Sequence, residues 1–494
     1  MRSLLTDMLL QHLCARTEGP LHRRLYDCIR LAILGGSIGP GSRLPPTRDL
    51  AEELSLSRNT VSAAYEQLLA EGYLFTRAGS GTFVTDHMPD GAMAPVQDQQ
   101  PASRRLAADE LSDRGAHLLG RAGVSPHQWG AFAPGVPDVS SFPHSLWRRI
   151  HSRLIRRIKP DYLTYSRMGG SPELQQALVD YLRVARSVNC TPAQIIITEG
   201  THQAIDLLAK MLCNPGDRAW IEEPSYWGMR NVLTINGVEV VPISVDGQGL
   251  NPPETVISGA GPRLICVTPS HQYPTGAVMS LQRRQRLLAQ AQEHDAWVIE
   301  DDYDSEFRFS GNPIPALQSL IPHAPVIYIG TFSKTLYPGL RISYMVLPDT
   351  LAAEMRLAHA ELYRGGHWIT QLALAQFIAE GHYASHIRRM RLLYGKRRLI
   401  LSRLILQYLG ADALRDDSNA GLHLVMSLPD ETDDVQVALA ADAAGVYVRP
   451  LSTYYLTAHH KKGLLLGYAC VEESLIEPAF MTLLACLRAQ GPSR

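Results

Sequence analysis

The stretch GTFSKTLYPGLR, residues 330–341, decides how the larger part of this chain folds. The β-rich run VIYIGTFS (326–333) leads into it and ISYMVLP follows it, so apolar segments flank Thr331, Ser333, Lys334 and Arg341 on both sides. An amine is costly to bury and small hydroxyl residues pack weakly. Taken alone, the stretch reads as a surface lysine in a loop or as an amine held at a strand end for its chemistry.

Working outward, five more short β-rich runs precede it: QIIIT (194–198), RAWIEEP (218–224), VEVVPIS (238–244), RLICVTP (263–269) and AWVIEDD (296–302). Helical stretches such as 202–213 and 281–293 lie between several of them. This alternation predicts an α/β unit with a mostly parallel sheet covered by helices. In such sheets ligand groups gather at the carboxyl ends of the strands. One run, IIITEGTHQAIDLL, passes from strand to helix through Gly200, Thr201 and His202, and the free N–H groups of a helix start suit an anion such as phosphate. Another, WVIEDDYDSEF, sets Glu300, Asp301 and Asp302 at a strand end, with Tyr303 next. Buried carboxylates need a cationic partner, either a metal or a protonated ring nitrogen. No histidine lies close in sequence to complete a metal set, and none is expected. An amine beside hydroxyls and a guanidinium, with a carboxylate one strand earlier, suits Schiff-base formation with an aldehyde on a pyridinium ring.

The chain has 494 residues, too many for one core. Its hydrophobic fraction of 45%, charged fraction of 19% and formal net charge of −1 are those of an ordinary globular protein with no global field toward nucleic acid or membrane. Seven scattered cysteines without metal-ligand spacing read as buried free thiols in a reducing compartment. With neither a signal-peptide core nor a membrane-length apolar run, a cytoplasmic protein is expected. Residues 86–125 are rich in Pro, Ala, Gln, Asp and Ser and read as a linker, with a short helix near 106–114. The expected division is a small unit over 1–85, the linker 86–125 and a large unit over 126–494.

In the small unit, Leu21, Leu25, Ile29 and Ile33 recur at fourfold spacing and predict a helix from Pro20 to Leu34. PTRDLAEELSLS predicts a short helix that Thr47 caps, with Leu50 and Leu54 facing inward. SRNTVSAAYEQLLAEG predicts a second, capped by Ser57 and stopped by Gly72, with Val61, Tyr65, Leu68 and Leu69 as its apolar stripe. YLFTRAGSGTFV reads as a hairpin around 78–81. This is the order of a winged helix–turn–helix. Its second helix would present Ser57, Arg58, Asn59 and Thr60 to base edges, with Arg43, Arg48 and Arg77 for phosphates or the minor groove. Residues 1–85 hold nine Arg against eight Asp and Glu, a weaker cationic footprint than such readers usually carry.

The segments LPPTRDLA, SRNTV and GSGTFV resemble the GntR-type DNA-binding domain. That resemblance implies that Arg43, Arg48, Arg58, Thr60 and the wing from Gly79 to Gly81 face DNA. The phosphate turn, acid strand and lysine stretch, in that order, resemble the fold-type I aminotransferases from about residue 130 onward. It implies a smaller C-terminal α+β subdomain and pyridoxal 5'-phosphate bound as a Schiff base to Lys334. It further implies that Asp301, with Asp302 the adjacent alternative, pairs with the pyridine nitrogen, and that Tyr303 reaches the ring's phenolic oxygen. Gly200, Thr201, His202, Thr331, Ser333 and Arg341 would hold the phosphate, and Tyr226 in EEPSYWG would stack on the ring. Tyr273, in HQYPTG (271–276), stands where that family has an asparagine in an Asn-Pro-x-Gly turn.

The two halves together resemble the MocR/GabR family of bacterial transcription regulators, as do FAPGVPDVSSFPHSLWRR and LLLGYACVEE. The implication is a head-to-tail homodimer on double-stranded operator DNA, responding to an amino-acid or amine effector with little turnover. A working aminotransferase that carries a DNA-binding domain is the alternative, and a sensor of the cofactor itself is a third reading. An effector carboxylate needs a guanidinium, for which Arg449 and then Arg167 are the candidates.

Overall fold

The structure, a computed structural model, describes residues 19–77, 79–85, 111–120, 127–166, 168–253, 261–415, 419–458 and 460–490, together with Thr6, Leu9, Leu13 and Gly123. Contacts divide the chain into two compact units, Met1–Glu110 and Leu111–Arg494.

In the first unit, helix α1 (Leu21–Leu34) buries Leu25, Cys28, Ile29, Ala32 and Ile33. Leu21, the first member of the expected stripe, is exposed, because the apolar face meets its core only after the opening turn. Strand β1 (Arg43–Leu44) precedes α2 (Thr47–Leu54), which buries Leu50 and Leu54. Thr47 begins this helix instead of capping it. Pro46 holds the cap position and offers no side-chain hydrogen bond. Helix α3 (Arg58–Ala70) is capped as expected, the Ser57 hydroxyl accepting from the Thr60 amide at 3.1 Å. Val61, Tyr65 and Leu68 are buried beneath it, and Leu69 is half-buried. Strands β2 (Leu74–Arg77) and β3 (Gly81–Val84) form the hairpin, and β1 pairs on its outer edge in the order β1-β3-β2. Leu9 and Leu13 also join this core. The unit is a winged helix–turn–helix.

The second unit opens with α4 (Asp113–Gly120), whose Arg114 donates to the carbonyl of Ile235 at 3.3 Å. The helix expected near 106–114 falls mostly outside the described residues. Helices α5 (His144–Ile155) and α6 (Pro172–Arg186) follow. Next come β4 (Ile195–Thr198), α7 (Thr201–Leu212), β5 (Arg218–Glu223), α8 (Trp227–Ile235), β6 (Glu239–Asp246), β7 (Gly249–Leu250) and β8 (Leu264–Val267). Then α9 (Leu281–Glu293), β9 (Trp297–Asp302), β10 (Val326–Thr331), β11 (Ser343–Val346), α10 (Asp349–Tyr363) and α11 (Trp368–Ala379) complete the large lobe. The sheet order is β4-β11-β10-β9-β8-β5-β6-β7. Neighbours from β10 through β6 run parallel, whereas β11 is antiparallel to both β4 and β10. The sequence reading lacked β11, since a four-residue apolar run carries no periodicity of its own. Strand interiors such as Ile195–Ile197, Leu264–Val267 and Ile327–Ile329 are buried on both faces, as a helix-covered parallel sheet requires.

A smaller lobe is built from α12 (His382–Leu409), β12 (Leu414–Arg415), β13 (His423–Ser427), α13 (Asp434–Ala443), β14 (Arg449–Pro450), β15 (Gly463–Gly467) and α14 (Glu473–Gln490). Its antiparallel sheet runs β12-β13-β15-β14. Together the lobes make a fold-type I architecture. Among the described cysteines, four are buried, but Cys213 and Cys486 are only partly so. No helix among the described residues is long and apolar enough to cross a membrane.

Candidate functional site

The carboxyl ends of β4, β5, β9 and β10 converge, and each delivers the polar residues that the sequence sets there. At the end of β4, Gly200 adopts φ +102° and turns the chain into α7. A Cβ on Gly200 would lie 2.7 Å from an Arg341 guanidinium nitrogen, so the turn admits that side chain only as glycine. Arg341 donates from Nη2 to the carbonyl of Glu199 at 2.6 Å. The cap position of α7 offers no side-chain hydrogen bond, so its N-terminal amides and the guanidinium form one electropositive corner. His202 stands beside it, its pKa lowered by burial and then by Arg341. Its Nε2 lies 3.0 Å from the hydroxyl of Tyr226.

The acid strand resolves into two unlike carboxylates. Successive side chains of a strand point to opposite faces. On one face Asp302 is consumed by structure: 2.7 Å from Arg186 Nε, and accepting from the hydroxyls of Tyr328 at 2.6 Å and Ser305 at 2.9 Å. On the other, Asp301 is buried with its Oδ1 unpartnered. Burial, reinforced by Asp302, pushes its pKa up to about 7, while the charge of Lys334 opposes the shift. A buried carboxylate with an orphaned oxygen is costly unless something cationic completes it.

Lys334, half-buried, follows β10 in a turn, and its Nζ donates to the carbonyl of Gly135 at 2.7 Å. Burial lowers its pKa, against the opposing charges of Asp304 and Asp301. The Thr331 hydroxyl oxygen accepts from the Ser333 amide at 3.2 Å and from Ser343 at 2.8 Å. Tyr273 sits among rings, edge-on to Tyr226 at 5.9 Å, to Tyr303 at 5.6 Å and to Tyr454 at 5.5 Å. Its hydroxyl is 3.1 Å from that of Tyr454. Tyr303 places its hydroxyl 2.9 Å from His271 Nδ1. Arg449, half-buried on β14, exerts its charge on both Tyr273 and Tyr454. Arg167 lies outside the described residues.

The segment after β14 bridges the lobes. Asp434 in the small lobe accepts from the Ser452 amide at 2.9 Å and hydroxyl at 2.6 Å. Glu223 at the end of β5 accepts from the amides of Leu456 at 2.6 Å and Thr457 at 2.8 Å. Ser225 N and Arg230 Nη1 each donate to the carbonyl of Tyr454 at 3.2 Å. The sequence reading missed Gly135, His271, Asp304, Glu223 and Asp434. A backbone carbonyl leaves no mark in sequence, and a lone carboxylate that ties two amides resembles any surface acid.

In the first unit Arg43, Arg48, Ser57, Arg58, Asn59, Arg77, Gly79 and Gly81 are exposed, and Thr60 is half-buried. The Ser57 and Thr60 hydroxyls bond each other at 2.8 Å. Arg77 lies over Phe75 at 5.2 Å and Phe83 at 5.4 Å, and Arg43 lies against Gly81, where a Cβ would be 3.0 Å from its Nε. Arg77 is thus supported on the rings of its own hairpin, and Arg43, from β1, packs against the same hairpin.

Residues 140–479 match the family "Aminotransferase class I and II", and residues 21–84 match "Bacterial regulatory proteins, gntR family". The chain is 40% identical over 466 residues to the probable rhizopine catabolism regulatory protein MocR of Rhizobium meliloti, covering 94% of this chain and 93% of that protein. It is 32% identical over 456 residues to the HTH-type pyridoxine biosynthesis transcriptional regulator PdxR of Corynebacterium glutamicum, covering 92% and 93%. The structure resembles that of Pyrococcus horikoshii kynurenine aminotransferase with a TM-score of 0.67 and 25% identity, over 80% of this chain and 99% of that one. With a GntR-family DNA-binding unit ahead of a fold-type I lobe pair, the chain belongs to the aminotransferase class I and II family in the fused form of the MocR-type HTH transcriptional regulators.

Proposed function

We propose that this protein is a transcription regulator that binds pyridoxal 5'-phosphate at Lys334 and uses it to sense an amino compound, with operator DNA held by the winged unit. The observation that carries the reading is a half-buried amine, Lys334, whose charge acts on a buried carboxylate, Asp301, that keeps one orphaned oxygen. The residues fit the cofactor in charge and in hydrogen-bonding capacity. Asp301 would supply the partner that a protonated ring nitrogen needs, a reading supported by Asp302 being already paired with Arg186. Gly200, Thr201, His202, Thr331, Ser333 and Arg341 would hold the phosphate, Tyr226 and Tyr273 would border the ring, and Tyr303 would face its phenolic oxygen. When bound, the cofactor supplies an aldehyde carbon open to attack by amines and a ring that withdraws electrons from it.

The chain's own groups set how that carbon is reached. Burial favours the neutral form of Lys334, which keeps the amine nucleophilic, and the Gly135 carbonyl orients it. Arg449, beside Tyr273 and Tyr454, would take the effector's carboxylate and so favour amino acids over simple amines. Arg58, Asn59 and Thr60 would reach base edges, with Ser57 as their cap, and Arg43, Arg48 and Arg77, with the wing glycines Gly79 and Gly81, would contact backbone or minor groove. Residues 1–85 would act as the reader, 86–125 as its tether and 126–494 as the sensing and dimerising part of a head-to-tail homodimer.

The complete set of proton-handling groups also suits a working aminotransferase. One experiment separates the readings. Full-length protein is loaded with pyridoxal 5'-phosphate and titrated with D- and L-amino acids, γ-amino acids and amines, with and without DNA from upstream of its own gene. A compound that alters the visible absorption, stays bound and changes DNA affinity marks a sensor. Release of a keto acid with steady turnover marks an enzyme, and a protein that takes up no cofactor removes the reading.

A further inference from the structure

Tyr303 can face the cofactor's phenolic oxygen in two ways, as hydrogen-bond donor or with its proton turned away, and its neighbours decide which. Its hydroxyl lies 2.9 Å from His271 Nδ1. The same nitrogen lies 3.1 and 3.0 Å from the two carboxyl oxygens of Asp304. Both Asp304 and His271 are buried. A ring nitrogen carries at most one hydrogen. Were Nδ1 bare, so as to accept from Tyr303, its lone pair would face a buried carboxylate whose hydrogen bonds come from this ring. With the hydrogen on Nδ1, the carboxylate is satisfied and the phenol oxygen can share the same donor. The phenol's own proton must then point away from His271.

The ring packs closely against its neighbours. Gly421, at φ +87°, packs so closely that a Cβ there would lie 2.1 Å from His271 Cε1 and 2.8 Å from Nδ1. His423 lies 5.6 Å away on another side and is itself occupied, its Nε2 3.0 Å from the carbonyl of Pro274.

We propose that His271, fixed as a donor by Asp304, is a positioning residue that directs the Tyr303 hydroxyl proton into the cofactor pocket. The proposal rests on the cofactor reading above. It makes the acidity of the cofactor's phenolic oxygen, and with it the reactivity of the neighbouring aldehyde carbon, depend on a histidine one step removed from the ring.

A double-mutant cycle tests it on full-length protein, with pyridoxal 5'-phosphate as the probe. The readouts are the wavelength of the visible band and the cofactor dissociation constant. Tyr303→Phe is expected to shift the band and weaken binding roughly tenfold, the loss of one hydrogen bond. His271→Ala is expected to shift the band in the same direction, and in a Tyr303→Phe background to add nothing. If His271→Ala does not fold, His271→Gln keeps the bulk while freeing the donor to turn, and its shift must likewise vanish beside Tyr303→Phe. A His271 variant that leaves the wild-type band in place, or adds its full shift to that of Tyr303→Phe, overturns the proposal while the cofactor reading stands. A wild-type protein that forms no band overturns both.

Discussion

The two units solve opposite problems with charge. In the winged unit the candidate DNA-facing arginines stand exposed, and two of them are fixed locally: Arg58 follows the helix cap at Ser57, and Arg77 lies over two phenyl rings. In the large unit the carboxylates of the site are buried and Lys334 is half-buried, and what fixes them comes from far along the chain. Asp302 meets Arg186, Lys334 meets Gly135, and Glu223 meets Leu456 and Thr457. DNA is a partner that side chains must reach out to, so its reader keeps its charges solvated until contact. A small reactive group, as the proposed cofactor is, must be enclosed, and the buried carboxylates of the large unit carry the desolvation cost in advance.

That contrast can be broken by experiment. Lys334→Ala should abolish the visible band of the cofactor-loaded protein outright, while affinity for upstream DNA, measured without effector, stays within about threefold. Asp302→Ala leaves Arg186 buried and unpaired, and should cost about 3–5 kcal/mol in denaturant unfolding. Asp301→Asn should do the reverse for the cofactor-free protein, raising stability at pH 8 by about 1–3 kcal/mol even as cofactor binding is lost. The sign follows from its raised pKa. The folded state holds a proton on Asp301 up to about pH 7, whereas an unfolded carboxyl releases it near pH 4. Its contribution is therefore favourable at low pH and fades as pH rises from about 4 to about 7, and Asp301→Asn should flatten that part of the stability profile. Arg58→Ala should weaken operator binding by about 1–3 kcal/mol and reduce discrimination at one base pair, with the cofactor band unchanged. Smallest of all, Ser57→Ala should cost about 1 kcal/mol of stability in the winged unit through loss of the α3 cap.

The same contrast explains what the sequence made legible. The winged unit reads almost entirely from local signals, because caps, turns and helix stripes are short-range features. It failed only at its edges, where Pro46 displaced Thr47 from the cap and Leu21 lay beyond the core. The parallel sheet was legible as an alternation of runs, as were the polar residues at its strand ends. The ordering within it was not, since β11 enters between β4 and β10 against the direction of its neighbours. Asp301 and Asp302 are indistinguishable as letters. They separate only when α6 brings Arg186 to one face of β9.

The segment between β14 and β15, held by Asp434 on one lobe and Glu223 on the other, has a consequence for how sensitivity is set. Arg449, the candidate for an effector's carboxylate, lies on the strand that leads into it. If only the lobe arrangement with those bonds made is competent to bind, apparent affinity is the intrinsic value scaled by the fraction of molecules in that arrangement. A change at Glu223, whose hydrogen bonds go to the backbone of this segment, would then move the concentration at which the protein responds and leave untouched which compounds it recognises. Threshold and selectivity would then be separately adjustable quantities, one written in a buried carboxylate and the other in the lining of the pocket.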